Sequence, residues 1–180
     1  MLRLILFLGA MASLCAQPRE NALSLVLADF DQRVRAYVAI HKRVERELPP
    51  MKPTKAVEML HSQRLSLAKG IIAARKDALA GDVITPAIAK ELRGLLKLAM
   101  TGPNAVRIAR SLDHAEPQSF VLKINTPYPP RVPLQSMPPT VLANLPSLPP
   151  ELEYRLVGQA LLLYDEKANL IVDFLQAALP

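Results

Sequence analysis

The sequence has few of the residues from which compact functional sites are commonly built. It contains one cysteine, Cys15, no tryptophan and six glycines. A single thiol excludes both a disulfide framework and a zinc site made of cysteines. The glycines stand singly along the chain, so there is no glycine-rich loop that would hold a phosphate group.

The signatures of several enzyme classes are also missing. Neither a Gly-x-Ser-x-Gly nor a Cys-x-x-Cys-His sequence occurs, which excludes the α/β-hydrolase nucleophile and covalent haem attachment. Ser66 and Lys69 have the Ser-x-x-Lys spacing of penicillin-binding proteins, but the other elements of that family are absent. The sequence therefore gives no catalytic residue and no cofactor, and it favours a protein that is not an enzyme.

The chain does contain enough apolar sequence for one domain with a core. Of its 180 residues, 51% are hydrophobic and 21% are charged, a composition too apolar for general disorder. Prolines number 17, nearly three times the glycines, which excludes both collagen and a flexible Gly/Ser linker.

Residues 1–16 have the pattern of a secretory signal peptide. Arg3 precedes an apolar run of 11 residues, Leu4 to Leu14, after which small residues follow. A membrane-spanning helix needs about 20 apolar residues, so this run is too short to remain in the membrane. We expect cleavage after Ala16, export to the periplasm or the medium, and no transmembrane segment in the mature chain. The alternative is a lipid anchor on Cys15, although that processing prefers a small residue where Leu14 stands.

Residues 17–118 have the apolar periodicity of helices. We predict a first helix from Ser24 to Leu48 and a second from Thr54 to Leu79. A third begins at Thr85-Pro86, and a short fourth covers 104–113. The stripe of the first helix steps alternately by four and three residues, which is typical of a helix packed along its length. This stripe consists of Leu23, Leu27, Phe30, Val34, Tyr37, His41, Val44 and Leu48.

Residues 119–180 change to the period of two that indicates strands. Alternation predicts a strand over 119–126, and nine of the 17 prolines then fall within 127–150. Such a segment favours an extended strap against the body and cannot form a central strand. Three strands follow, at 152–157, 160–164 and 170–174, the first two joined by a Gly158-Gln159 turn.

These elements predict an α+β fold. An N-terminal helical hairpin with one or two further helices packs, as one domain with the Pro-rich strap, on a small C-terminal antiparallel β-meander.

Charge is divided unevenly between the two regions. Residues 17–118 hold 17 Lys and Arg against 11 Asp and Glu, whereas residues 119–180 hold four against five. The basic excess therefore lies on the helices, where it favours either a solvated face of mixed charge or attraction to an anionic surface. No nucleic-acid partner is expected, because aromatic residues do not interleave with the cations over 54–118 and an exported chain rarely meets nucleic acid.

Two histidines suggest a candidate metal site. His41 and His61 are placed symmetrically about the predicted turn at residue 51, with Glu45 one turn beyond His41 and Glu58 three residues before His61. In an antiparallel hairpin the two imidazoles would lie at similar height, and two imidazoles with two carboxylates suit zinc or iron. The alternative is a polar histidine in a helical seam, because a di-iron bundle needs a second Glu-x-x-His that this chain lacks.

The C-terminal residues resemble those of a group of small exported bacterial proteins of unknown function. The similarity covers Leu152 to Gly158, Leu161 to Asp165 and Ala168 to Asp173. The resemblance implies export and a shared fold, and it implies no activity.

The sequence thus favours a non-enzymatic envelope protein. We expect it to act by interaction with an envelope protein or an anionic surface, through its basic helical face or the edge of its sheet. The alternative is a metal-binding helical bundle that uses His41, Glu45, Glu58 and His61.

Overall fold

The fold is α+β, as predicted. The computed structural model describes residues 17–50, 57–101, 105–106, 121–130, 132 and 135–179. The predicted signal segment, 1–16, lies outside the described residues, as does most of the predicted fourth helix, 104–113.

Within the described residues, three long helices form one layer. Helix α1 spans Gln17–Glu47, α2 spans Val57–Ala74 and α3 spans Pro86–Thr101. Helix α3 begins at the predicted proline, whereas α1 begins before the expected Ser24 and α2 ends before the expected Leu79. In the described part of the chain, every helix is too short or too polar to cross a lipid bilayer.

The other layer is an antiparallel sheet, to which the described part of the chain contributes five strands. Its strands are β1 (Thr126–Pro127), β2 (Gln135–Ser136), β3 (Glu153–Val157), β4 (Ala160–Asp165) and β5 (Leu170–Leu175), in the order β1-β5-β4-β3-β2. Strands β3, β4 and β5 form the predicted meander. Gly158 in the first turn has a φ of 56°, a backbone conformation that glycine adopts without steric cost.

The strand expected over 119–126 is much shorter than predicted. Within the described residues it consists of Thr126 and Pro127 alone, and residues 121–125 precede it without strand structure. The reason is Asn125, whose φ is 55° and whose Nδ2 donates hydrogen bonds to the carbonyls of Ile72 and Arg75. Its backbone turns so that the side chain adds a hydrogen bond to two carbonyl groups at the end of α2, a role that alternation does not reveal.

The proline-rich segment supplies both edges of the sheet. Strand β1 pairs with β5 and β2 pairs with β3, and a short helix, α4 (Pro139–Leu142), follows β2. Proline lacks the N–H that a central strand needs, so its place at the edges agrees with the prediction. Tyr128, Met137, Val141 and Leu145 of this segment are buried, which confirms that it lies against the body.

Apolar clusters lie on both sides of β4, all six residues of which are buried. Leu161 and Leu163 belong to the large cluster that includes the helices. Leu162 and Tyr164 face the other way, where Tyr128, Ile171 and Val157 cover them. The ring of Tyr128 stands edge-on to that of Tyr164, with centroids 6.0 Å apart. A meander packed on one side only would expose a polar outer face. Here the proline-rich segment covers the outer face, which is apolar.

The close crossing of α1 and α2 depends on Gly70. A Cβ built at Gly70 would overlap Cγ1 of Val44. Val44 is buried and β-branched, so it has little freedom to move aside.

We predict that Gly70→Ala lowers the free energy of unfolding by about 1–3 kcal/mol, the usual cost of overpacking. The matched control is Gly94→Ala in α3, because a Cβ there meets nothing within 4 Å. That variant should gain up to about 1 kcal/mol from helix propensity. Urea denaturation of both proteins measures the difference, and equal stability would contradict the close crossing.

Candidate functional site

The most polar part of the core joins α1 to the end of β4. His41 and Asp165 are both fully buried, and Nδ1 of His41 lies 2.5 Å from Oδ2 of Asp165. Tyr37 lies one turn before His41 on the same helix face. Its hydroxyl donates a hydrogen bond to the same carboxylate oxygen at 2.6 Å. We call these three residues the Asp165 cluster.

The second oxygen of Asp165 is also satisfied. Oδ1 accepts a hydrogen bond from the backbone N–H of Ala168 at 2.8 Å, which fixes the turn between β4 and β5. The carboxylate therefore ties one helix, the end of one strand and the following turn to one another. Both burial and the negative charge of Asp165 raise the pKa of Tyr37, so its hydroxyl stays a hydrogen-bond donor.

Arg75, just after α2, closes the far side of this cluster. Its guanidinium lies 5.1 Å from the centre of the Tyr37 ring, within cation–π range, and both terminal nitrogens donate to the carbonyl of Val172 at 3.3 Å. Burial lowers the pKa of Arg75, while the nearby charges act in the opposite direction. Arg75 thus holds the end of α2 to both α1 and β5.

Burial and the neighbouring carboxylates act in opposite directions on the pKa of His41. Burial alone would lower its pKa, but the hydrogen bond and charge of Asp165, with Glu45 and Glu151, outweigh burial and raise it. Its Nε2 is buried, has no hydrogen-bond partner among the described residues and lies 3.6 Å from Oε2 of Glu45. The imidazole is thus held between two carboxylates, one buried and one at the surface.

A second buried carboxylate, Asp173, holds the segment between α2 and α3. Its oxygens accept hydrogen bonds from the backbone N–H groups of Gly81, Val83 and Ile84 at 2.8–3.1 Å. The pairing of β4 with β5 skips Val172, so Val172 and Asp173 both face the helical layer. An Asp within an otherwise apolar strand is a visible signal of such a role, although no site was predicted there.

The four predicted metal ligands lie in different environments. Glu45 lies beside the buried His41, whereas Glu58 and His61 on α2 are exposed. The described residues, which include all four, contain no group of three or more His, Cys, Asp or Glu side chains arranged to hold a metal ion. What the structure brings to His41 is Asp165, 124 residues away, which no spacing rule on the helices would find.

The surface beside the Asp165 cluster is basic. Glu45 forms an ion pair with Lys167, and Lys42 pairs with Glu151 at 3.0 Å. Glu45 lines two adjacent grooves, one with Lys42 and Arg46 and the other with Arg64 and Lys167. Four cations therefore surround one surface carboxylate.

Most of the net charge of the chain lies in this part of the sequence. Residues 42–69, which we call the basic hairpin, contain seven Lys and Arg against three Glu, whereas the rest of 17–180 contains 14 against 13. The described part of the hairpin exposes Arg43, Arg46, Arg64 and Lys69. The arrangement therefore offers a buried cluster closed to solvent and an open cationic surface directly above it.

No protein-family model, curated protein sequence or solved structure matches this chain. The resemblance of the C-terminal residues to small exported bacterial proteins stays a prediction.

The raised pKa of His41 predicts a specific dependence of stability on pH. A folded-state pKa above the ordinary imidazole value of about 6.5 means that protonated His41 stabilises the fold. That stabilisation is complete below about pH 6.5 and is lost as the pH rises through the folded-state value.

We expect His41→Asn to cost about 3 kcal/mol at acidic pH, since it leaves Asp165 without its cationic partner, and to abolish this slope. Urea denaturation between about pH 5.5 and pH 8.5 measures the free energy of unfolding and its slope with pH. The control is His61→Asn on exposed α2, which should keep the slope of the unmodified protein. The same slope in His41→Asn would contradict the assignment.

Proposed function

We propose that this chain is a non-enzymatic exported protein of the cell envelope that binds an anionic component through its basic hairpin. The observation that carries the proposal is the concentration of net charge within residues 42–69. Cations gathered on one surface attract an anionic partner and speed its association, whereas the same charges dispersed would not.

The described contacts support a binding surface in this place. Lys42 and Lys167 are held by Glu151 and Glu45, so the ion pairs fix where those two cations stand. Arg64 is exposed beside them and lines the same groove as Lys167. The cations thus stand on a rigid base, because α1 below them is tied to the sheet by the Asp165 cluster.

The burial of His41 and Asp165 supports a role without catalysis for that pair. A histidine paired with an aspartate is a common catalytic arrangement, but a catalytic histidine must reach the proton that it transfers. Both side chains here are fully buried, so a substrate atom has no access to them. The pair serves the proposal as a structural support for the basic hairpin.

The proposal predicts charge-dependent binding to a soluble polyanion such as dextran sulfate. Replacing two exposed cations, Arg46→Gln with Arg64→Gln, should weaken binding by about tenfold at low salt. The matched control, Lys90→Gln with Lys97→Gln, removes the same charge from exposed positions on α3 and should have a much smaller effect. Isothermal titration at several salt concentrations measures both, since screening weakens such binding. Absent binding, binding indifferent to salt, or equal losses in the two variants would each count against the proposal.

Mass spectrometry of the protein recovered from cells tests export separately, since it shows at which residue the chain begins. The proposal predicts a chain that begins at Gln17, recovered outside the cytoplasm, because an apolar run of 11 residues is read as a signal peptide. Intact Met1 in the cytosol would contradict export, and a mature chain with lipid on Cys15 would replace cleavage after Ala16 by the anchored alternative.

A further inference from the structure

We propose that the anionic component is a lipid bilayer, and that the N-terminal part of α2 lies in its interface. This inference rests on the proposed function, since the same basic hairpin makes the contact. It adds a second kind of interaction, the insertion of apolar side chains between lipid headgroups.

The first ten residues of α2, 57–66, contain no buried residue. Three of their four exposed large apolar side chains form what we call the apolar tip: Val57, Leu60 and Leu65 are 71%, 45% and 42% exposed, whereas Met59 lies on the opposite face of the helix. At 100° per residue these positions fall within an arc of about 140°. Exposed apolar side chains gathered on one arc mark a contact surface, whereas scattered single ones need no explanation.

The apolar tip continues the stripe by which α2 packs on the body. Leu67, Ala68 and Ile71 are the buried residues of α2, and they lie on the same side of the helix as Val57 and Leu60. Among the residues that the structure describes, this stripe is buried only in the second half of the helix. The first half of the helix exposes its apolar side chains to solvent.

The cations around the apolar tip indicate what covers it. Arg64 lies within the same arc, and Lys69 follows on the same helix. Arg43 and Arg46 are exposed near the end of α1, with which α2 packs. Apolar side chains next to exposed Lys and Arg are the pattern of a helix that lies in the interface of an anionic bilayer. A soluble polyanion would engage the cations alone and would gain nothing from the apolar side chains.

The experiment compares two probes on the full protein as cells make it: vesicles of phosphatidylglycerol mixed with phosphatidylcholine, and dextran sulfate. Val57→Ser with Leu65→Ser should weaken vesicle binding by about tenfold, since two apolar side chains lose their burial in lipid. The same variant should bind dextran sulfate as the unmodified protein does. The matched control is Leu25→Ser with Leu98→Ser, two leucines that are 72% and 64% exposed on α1 and α3, and it should leave both affinities unchanged.

A fluorescent reporter gives an independent measurement, because the chain contains no tryptophan. The emission of Leu65→Trp should shift to the blue on anionic vesicles, as the indole enters the interface, while that of Leu98→Trp should not shift.

The outcomes separate the two proposals. If the protein binds both probes but the serine variant of the apolar tip binds vesicles normally and Leu65→Trp shows no shift, the lipid inference is overturned and the proposed function stands. If dextran sulfate and vesicles both fail to bind, the proposed function fails and the lipid inference fails with it.

Discussion

The hydrogen bonds that Tyr37 and His41 direct to Asp165 join the helical layer to the sheet, and the rest of the arrangement depends on them. They link residues more than 120 positions apart and both engage Oδ2, while the backbone N–H of Ala168 satisfies Oδ1. A buried carboxylate is tolerated only when it is paired in this way, because an unpaired one costs several kcal/mol. The cluster therefore fixes the position of α1 and, through Arg75, the end of α2, and these helices carry the proposed binding surface.

The proline-rich segment covers the second face of the small sheet, the one that the helices leave open. It pairs at both edges and buries Tyr128 against the outer face of β4 and β5. An edge strand with free N–H groups invites pairing with another chain, and prolines at an edge reduce that hazard. The apolar surface that remains exposed on α2 is therefore distinct from the sheet, which the fold protects on both faces.

Much of the fold was predictable from the sequence because its signals are local. The seven-residue stripe of α1, the start of α3 at Pro86 and the three strands of the meander each depend on residues within one element. The strand over 119–126 was mispredicted because Asn125 interacts with the end of α2, which is distant in sequence. The site was less predictable: His41 was predicted as a metal ligand, with a polar residue in the helical seam as the alternative, and its partner Asp165 comes from another layer of the molecule. The apolar tip was not visible either, because periodicity shows an apolar stripe without showing how far the body covers it.

Hydrogen–deuterium exchange on the protein, with and without vesicles containing phosphatidylglycerol, tests the central claim most directly. The claim is that a rigid body presents one helical hairpin to an anionic lipid surface. It predicts slower exchange in residues 57–66 and at the end of α1 when vesicles are present, and unchanged exchange in α3 and in strands β3 to β5. Slower exchange confined to α3 or to the sheet, or exchange unaffected by the vesicles throughout the chain, would contradict it.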